Sequence, residues 1–144
     1  MRTRLATVKD IVELSGLWYI MCKEMTPDEI PNIEWWKINN HQYMVNGNYY
    51  CHVVEEEGKI VGFLSYSIYR EPATSKIMAG SHHTFVLPEY RKGAAILRLW
   101  KAAMNNLKLH KVDGIETTCF TREKPFWEER GFKQTYHFMQ KMGV

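Results

Sequence analysis

The chain has 144 residues, a length that supports one domain with its own hydrophobic core and leaves little for a second. Its apolar fraction of 45%, charged fraction of 24% and formal charge of +3 are typical of a soluble globular protein. The basic residues are spread along the chain, which argues against a nucleic-acid-binding protein. No segment reaches about 18 uninterrupted apolar residues, and the N-terminus lacks the apolar stretch of a signal peptide, so we expect a cytoplasmic protein without a membrane span.

The three cysteines, Cys22, Cys51 and Cys119, are an odd number and lie at no spacing typical of metal ligands. Each falls within an apolar or strand-like segment. We therefore expect reduced, buried thiols and no metal site. Cys119 has no evident histidine or aspartate partner that would make it a nucleophile.

The N-terminal third predicts a strand followed by two helices. Arg2 to Ala6 has the pattern of a short strand, and Thr7-Val-Lys-Asp10 has the form of a capping box at a helix start. Apolar residues at helical spacing then predict a helix from Asp10 to about Lys23. Two prolines between Thr26 and Pro31 interrupt the helical pattern. A second helix is expected from Asn32, as its cap, to about Val45.

The remaining two thirds predict strands and helices in turn. The pattern indicates a hairpin (Tyr49–Glu55 and Lys59–Tyr69), a third strand (Lys76–Leu87), an amphipathic helix (Ala94–Leu109), a strand (Ile115–Phe120), a short helix (Lys124–Arg130) and a final strand (Lys133–Met142). The order β-α-α-β-β-β-α-β-α-β predicts one α+β domain with a mixed central sheet and helices on both faces. The long helix between two strands requires a parallel pair.

The junction from Phe85 to Leu99 places a strand end, a tight basic loop and a helix N-terminus in direct succession. Free N–H groups at a helix start form an anion site, and the adjacent Arg91 and Lys92 add positive potential. The junction therefore suits a pyrophosphate group. An ordinary strand-to-helix turn with solvated basic residues is the alternative interpretation of the same pattern.

Val86-x-Pro88-x-Tyr90-Arg91, followed by a small-residue loop and an amphipathic helix, resembles the acetyl-CoA motif of the GNAT superfamily of N-acetyltransferases. The segment from Glu57 to Phe63 resembles the hairpin before that motif, and the segment from Pro125 to Phe132 resembles the one that closes the cofactor cleft. The resemblance implies an acetyl-CoA-binding core over residues 49–144 and variable acceptor-side helices over residues 1–48. The compact size and aromatic N-terminal helices also resemble short phage-encoded members.

The resemblance implies that the strand end, the loop with the helix start, and the closing segment bind the cofactor: Phe85, Val86, Leu87, Arg91, Lys92, Gly93, Ala94, Ala95, Ile96 and Trp127. Two positions depart from the family pattern. Ile96 stands where a small residue normally lets amides approach the phosphates, so either the loop is re-registered onto Gly93 and Ala95 or phosphate binding is weakened. Trp127 replaces a tyrosine that protonates the departing thiolate in many members, and an indole cannot act as an acid near neutral pH.

The thiolate can still leave as an anion, because a thiol has a pKa of about 8.5. Tyr136, Tyr50 and water are alternative proton donors. The amine acceptor must lose a proton before it attacks the thioester carbonyl, so a base is also needed.

Two consecutive histidines, His82 and His83, are candidates for that base. On a regular strand they point to opposite faces, so one of them is expected to face the cleft. The resemblance favours His82, nine residues before Arg91, because it matches a cleft histidine in the proton relay of the arylalkylamine branch. Glu116 is a further candidate. For all three, a structural or solvent-facing strand residue is the alternative interpretation.

Trp35 and Trp36 are adjacent, so both cannot point into one core, and one of them is expected to line a pocket or a homodimer contact. The sequence thus predicts an N-acetyltransferase that moves acetyl from acetyl-CoA to a primary amine of a small molecule or protein by direct attack. The alternative, favoured by Ile96 and Trp127, is a catalytically weak or inactive GNAT-fold module that acts through protein–protein binding.

Overall fold

Neighbouring strands of the central sheet are also neighbours in the sequence. The computed structural model describes residues 1–118, 123–135 and 139–143. Within them the sheet has five strands in the order β1 (Arg2–Leu5), β2 (Tyr49–Glu56), β3 (Lys59–Arg70), β4 (Ile77–Val86) and β5 (Gly114–Glu116). The first four pair antiparallel, whereas β4 and β5 are parallel, as the predicted crossover helix requires.

The helices begin and end near the predicted residues because local capping groups are present. They are α1 (Ile11–Met25), α2 (Ile33–Asn46), α3 (Ala95–Leu109) and α4 (Lys124–Glu128). The Thr7 N–H donates to the Asp10 carboxylate at 2.7 Å, and a short 3-10 turn leads into α1. The Asn32 side chain accepts from the Trp35 N–H at 2.9 Å, and Gly47 ends α2 with a φ of 81°. In the part of the chain described, no helix is long and apolar enough to cross a membrane.

The two faces of the sheet carry separate cores. Helices α1 and α2 pack on one face, where the buried residues are Leu14, Leu17, Met21, Cys51, Val53, Ile60, Phe63 and Phe85. Helix α3 covers the other face, where they are Val54, Val61, Leu64, Tyr66, Ala79, Val86, Ala95, Leu99, Ala103 and Leu107. Val53 and Val54 are adjacent, fully buried and in opposite cores, so this strand needs a helix layer on each side.

The C-terminal end of the sheet differs from the prediction. The strand predicted over Ile115–Phe120 ends at Glu116; residues 117 and 118 lie outside it, and residues 119 and 120 are outside the described residues. The strand predicted over Lys133–Met142 is absent from residues 133–135 and 139–142, and residues 136–138 are outside the description. Alternating apolar residues do not reveal whether a neighbouring strand supplies ladder hydrogen bonds, so this pattern overestimated strand length.

Candidate functional site

Strand β4 contains one extra residue opposite β3, and that residue is His82. Ser65 pairs with His83, and the next residue, Tyr66, pairs with Ser81, so His82 is the additional residue of a β-bulge. A bulge interrupts the alternation of side chains along a strand. His82 and His83 consequently line the same pocket. The expectation that regular alternation sends only one of them to the cleft is therefore wrong.

The pocket lies between the sheet and the helices α1 and α2, and its volume is about 640 Å³. That volume falls within the roughly 300–1,000 Å³ of small-molecule sites. Its aromatic lining consists of Trp18, Trp35, Trp36, Tyr43 and Tyr49. Both adjacent tryptophans thus line the pocket: Trp36 stacks on Trp18 with ring centroids 5.5 Å apart, whereas Trp35 is 64% exposed.

The imidazole of His82 is positioned by one hydrogen bond and two aromatic rings. Its Nε2 lies 2.7 Å from Ser67 Oγ. The ring centroids of Tyr49 and Tyr43 lie 5.4 and 5.9 Å from that of His82. Burial lowers the pKa of His82 below its ordinary value, although the open pocket still exposes part of the ring. His82 is therefore a neutral imidazole near pH 7.

His83 is fixed through its backbone. Its N–H donates to Ser65 Oγ at 3.3 Å, and Ser65 Oγ donates to its carbonyl at 3.4 Å. Burial, and then the neighbouring His82, lower the pKa of His83. Two neutral imidazoles, each able to accept a proton, therefore face one pocket.

Tyr49 is a pocket residue that the sequence analysis did not single out. The Tyr49 hydroxyl donates to Asn40 Oδ1 at 2.9 Å, and burial raises the pKa of Tyr49. Tyr43 stacks on Tyr49 with centroids 5.5 Å apart. The alternation of side chains along β2 could have predicted this position, because Tyr49 lies two residues before the buried Cys51 and so points to the same face of the sheet, toward α1 and α2. Tyr50 instead lies on the α3 side, with its hydroxyl 2.8 Å from His110 Nε2, and Tyr136 is outside the described residues.

The loop before α3 presents small residues and backbone amides. Gly93 and Ala94 are exposed, α3 begins at Ala95, and no side chain within the described ranges caps this helix start. Its first N–H groups are therefore available to an external anion. Ala95 is fully buried beneath the loop, and Ile96 packs against the core on the α3 side. This arrangement favours the re-registered alternative, with small residues at 93–95 and the isoleucine turned inward.

Arg91 is held by contacts on two sides. Its Nε donates to the Val86 carbonyl at 2.8 Å, and its two terminal nitrogens donate to the Glu24 carboxylate at 2.8 and 2.6 Å. Its guanidinium also lies 5.3 Å from the Phe85 ring centroid. Arg91 thus ties the end of β4 to the end of α1, while Lys92 is exposed beside it.

Strands β4 and β5 separate before the loop is reached. They pair only from Met78 with Gly114 to Gly80 with Glu116, whereas β4 continues to Val86. Beyond Gly80 the β5-facing edge of β4 has no strand partner among the residues described. A ligand with amide groups can supply the missing ladder hydrogen bonds there.

Two predicted site residues are not among the described residues that line this pocket. Glu116 accepts a hydrogen bond from the Tyr69 hydroxyl and is not among the described residues that line the pocket. Trp127 is buried, with ring centroids 5.7 Å from Trp100 and 5.2 Å from Phe132. These contacts pack α4 against α3, which accounts for a large apolar ring at position 127.

The described cysteines form no disulfide, and the described residues contain no metal-binding cluster. Cys22 and Cys51 are unpaired, and burial raises the pKa of Cys51 to about 12. Cys119 is outside the described residues. Among those that are described, no group of three or more His, Cys, Asp and Glu residues could hold a metal ion.

A family model described as an acetyltransferase (GNAT) domain matches residues 24–144. No curated protein sequence matches the chain significantly.

Several solved structures share the fold over nearly the whole chain. A predicted acetyltransferase from Clostridium acetobutylicum with acetyl-CoA is 16% identical, with a TM-score of 0.85 over 98% of this chain and 95% of that chain. Glucosamine-6-phosphate N-acetyltransferase from Arabidopsis thaliana is 18% identical, with a TM-score of 0.78 over 98% and 97%. An aminoglycoside acetyltransferase from an uncultured soil metagenomic sample, in complex with sisomicin, is 16% identical, with a TM-score of 0.75 over 99% and 96%.

Proposed function

Because the chain belongs to the GNAT family of acetyltransferases, we propose that it transfers acetyl from acetyl-CoA to a primary amine bound beside His82 and His83. The family and the single-domain α+β fold predicted from the sequence are confirmed. The observation that carries the finer proposal is the bulge in β4. It brings two neutral imidazoles into one pocket, on the strand that leads directly to the α3 loop.

The proposed cofactor site runs from the end of β4 to the start of α3. The pyrophosphate would accept hydrogen bonds from the amides of Ala94, Ala95 and Ile96, with Lys92 adding positive charge, whereas the Gly93 N–H already donates to the Tyr90 carbonyl at 3.3 Å. The pantetheine arm would lie along the open edge of β4, toward the backbone of residues 85–87. A backbone N–H there would polarise the thioester carbonyl.

The proposed reaction is direct attack by the amine, without a covalent enzyme intermediate. The amine nitrogen loses a proton to an imidazole, directly or through water, and forms a C–N bond with the acetyl carbon. The C–S bond breaks, and CoA leaves as its thiolate. Because a thiol has a pKa of about 8.5, this departure needs no tyrosine at position 127. The enzyme contributes chiefly by holding the two reactants together.

A cytoplasmic site of action fits this proposal. Acetyl-CoA is an intracellular cosubstrate, and the described cysteines Cys22 and Cys51 are unpaired, as is usual in a reducing compartment.

A catalytically weak or inactive binding module is the second candidate. The observation that favours it is the occupied guanidinium of Arg91, whose charge is compensated by Glu24. In such a module the loop would bind acetyl-CoA poorly, and the pocket would receive a protein side chain.

Calorimetric titration with acetyl-CoA, followed by CoA release in the presence of amines, separates the two candidates. An acetyltransferase is expected to bind acetyl-CoA and to release CoA only when an amine is present. Replacement of His82 and His83 together by alanine is expected to lower kcat/KM by roughly 100-fold. His41→Ala on the exposed side of α2 is the matched control and should have no effect. Absence of binding at high micromolar acetyl-CoA would overturn the proposed activity, and an unchanged rate in the double variant would overturn the role of the histidines.

A further inference from the structure

We propose that the acceptor is a singly charged amine on a flat apolar body, such as a primary alkylamine that carries an aromatic ring, and neither a polycation nor a phosphorylated amine. This inference rests on the proposed function of the same pocket. It is carried by the chemical character of the described side chains that line the pocket.

Stacked aromatic rings form much of the pocket wall. Trp18 and Trp36 stack at an interplanar angle of 27°, and Tyr43 and Tyr49 stack at 29°. Pairs of this kind present broad flat faces on which another ring can stack. A small polar acceptor would leave these faces in water, whereas a flat apolar acceptor covers them.

The rim of the pocket adds apolar surface that the protein itself does not cover. Trp35 is 64% exposed, and Met25 and Ile30 are also exposed. All three line the pocket. Large apolar side chains that gather around a concave site, and are not buried by the fold, are typical of a surface that an apolar ligand covers.

The charges of the lining exclude two classes of amine. Glu29 is the one carboxylate among the described lining residues, and none of them is a lysine or an arginine. An acceptor with several ammonium groups needs several carboxylates to replace its hydration, and a phosphate needs cationic partners. Lys23 lies nearby, but its ammonium group donates to the backbone carbonyls of Pro27 and Glu29. One ammonium group is therefore the charge that this pocket can accommodate.

The histidines and the tryptophans lie on different elements, and this orients the acceptor. His82 and His83 lie on β4 with Tyr49 beside them on β2, whereas the other polar lining residues belong to α2 or to the segment between α1 and α2: Thr26, Glu29, Asn32, Asn39 and Asn40. The tryptophans come from α1 and α2. An amine group directed at the histidines places its apolar body against the helices. A single positive charge near the aromatic faces is further favoured by cation–π attraction.

The test uses the full-length protein with acetyl-CoA and an amine panel. Tryptamine and 2-phenylethylamine represent the proposed class, and spermidine, sisomicin and glucosamine 6-phosphate represent the excluded ones. We expect kcat/KM for tryptamine and for 2-phenylethylamine to exceed that for each of the three excluded amines by at least about tenfold. A higher value for spermidine, sisomicin or glucosamine 6-phosphate would overturn the inference while leaving the acetyltransferase proposal intact.

Direct binding covers the case in which no amine of the panel reacts. Tryptamine is titrated into the protein saturated with CoA, and the heat of binding is followed by calorimetry. Binding in the micromolar to millimolar range supports the inference, and absence of binding at millimolar tryptamine overturns it. Failure of acetyl-CoA itself to bind is a separate result, since it contradicts the proposed function.

A matched pair of variants on α2 tests the aromatic rim. Trp35→Ala is expected to raise KM for tryptamine roughly 3- to 10-fold without changing KM for acetyl-CoA, and Trp35→Phe should restore most of the loss. Ile38→Ala is the control, because Ile38 is 53% exposed on the same helix and is outside the described pocket lining. An equal KM for tryptamine in wild type and Trp35→Ala, with both proteins folded by circular dichroism, contradicts the proposal.

Discussion

Glu24 and Arg91 form a bidentate ion pair, with nitrogen–oxygen distances of 2.8 and 2.6 Å, that joins the last turn of α1 to the loop before α3. Glu24 adjoins Met25, which lines the pocket proposed to bind the acceptor. Arg91 belongs to the loop proposed to bind pyrophosphate. The pair raises the pKa of Arg91 and compensates its charge. A pyrophosphate bound as proposed would therefore compete with Glu24 for the guanidinium.

Glu24→Gln is expected to strengthen acetyl-CoA binding, because Arg91 is released to the phosphates. The pair is partly exposed, so its loss should lower the dissociation constant only roughly 2- to 5-fold. Calorimetry at two salt concentrations measures the effect. Glu34→Gln on α2 makes the same change of charge in an exposed pair with Lys37 and serves as the control. Weaker binding in Glu24→Gln would show that the pair supports the loop and does not compete for Arg91.

The histidine pair should appear in the pH dependence of the reaction. Because burial lowers the pKa of both imidazoles, they are neutral at pH 7 and become protonated at a lower pH than an ordinary histidine. A plot of log kcat/KM against pH is expected to steepen by about one unit of slope below that pKa. The His82→Gln/His83→Gln double variant should lack this bend. If the bend persists in the double variant, another group is the base.

Stability should fall in mild acid because of a histidine on the opposite face of the sheet. His52 Nε2 lies 2.9 Å from the Tyr66 hydroxyl, and the Tyr66 hydroxyl oxygen accepts a hydrogen bond from Asn106 Nδ2 at 2.7 Å. The Tyr66 hydroxyl thus has its proton free to donate to a neutral imidazole, and burial lowers the pKa of His52 to about 4.

Between pH 6.5 and 4 the unfolded chain therefore binds a proton that the folded chain does not. The contribution of the neutral His52 to the free energy of unfolding is fully present above about pH 6.5, and the free energy of unfolding should decrease by as much as about 3 kcal/mol as the pH approaches 4. Urea unfolding across this range measures the loss. His82 and His83 contribute in the same direction, so the pocket double variant isolates the share of His52. A pH-independent stability in that variant would contradict the assignment.

A side chain at Gly62 is expected to strain the end of the sheet. A Cβ there would lie 3.0 Å from both the Phe85 carbonyl oxygen and Val86 Cγ2, so alanine must displace the end of β4. We expect Gly62→Ala to lower the free energy of unfolding by about 1–3 kcal/mol and to weaken acetyl-CoA binding.

Gly16→Ala is the matched control, because nothing lies within 4 Å of its Cβ position on α1. It should instead stabilise the protein by about 0.5–1 kcal/mol. Thermal unfolding and calorimetry of the two variants measure both effects. Equal stability of Gly62→Ala and wild type would contradict this prediction, because it would show that the end of β4 shifts away from the added methyl group at no measurable cost in free energy.

Local sequence patterns predict most of the fold because its boundaries are determined locally. Asn32 and Gly47, for example, delimit α2 through a side-chain cap and a left-handed φ. The site was less predictable because it depends on pairing between distant segments. The bulge at His82 arises from the register against β3, and Glu24 lies 67 residues before Arg91. Trp127 shows the same limit: the motif locates it, but only the fold reveals its contact with Trp100.

Because His82 is the extra residue of the bulge, a deletion of one residue can remove one of the two pocket histidines. Deleting residue 82 would join Ser81 to His83 and close the ladder against Tyr66 and Ser65 without moving any other pair. Deleting Thr84 instead would close the same ladder only if His83 moved opposite Leu64 and His82 moved opposite Ser65, which changes the face of both side chains. Position 82 is thus the place where this strand can lose one residue and keep every other pair, so a related sequence could carry one histidine fewer without any other change.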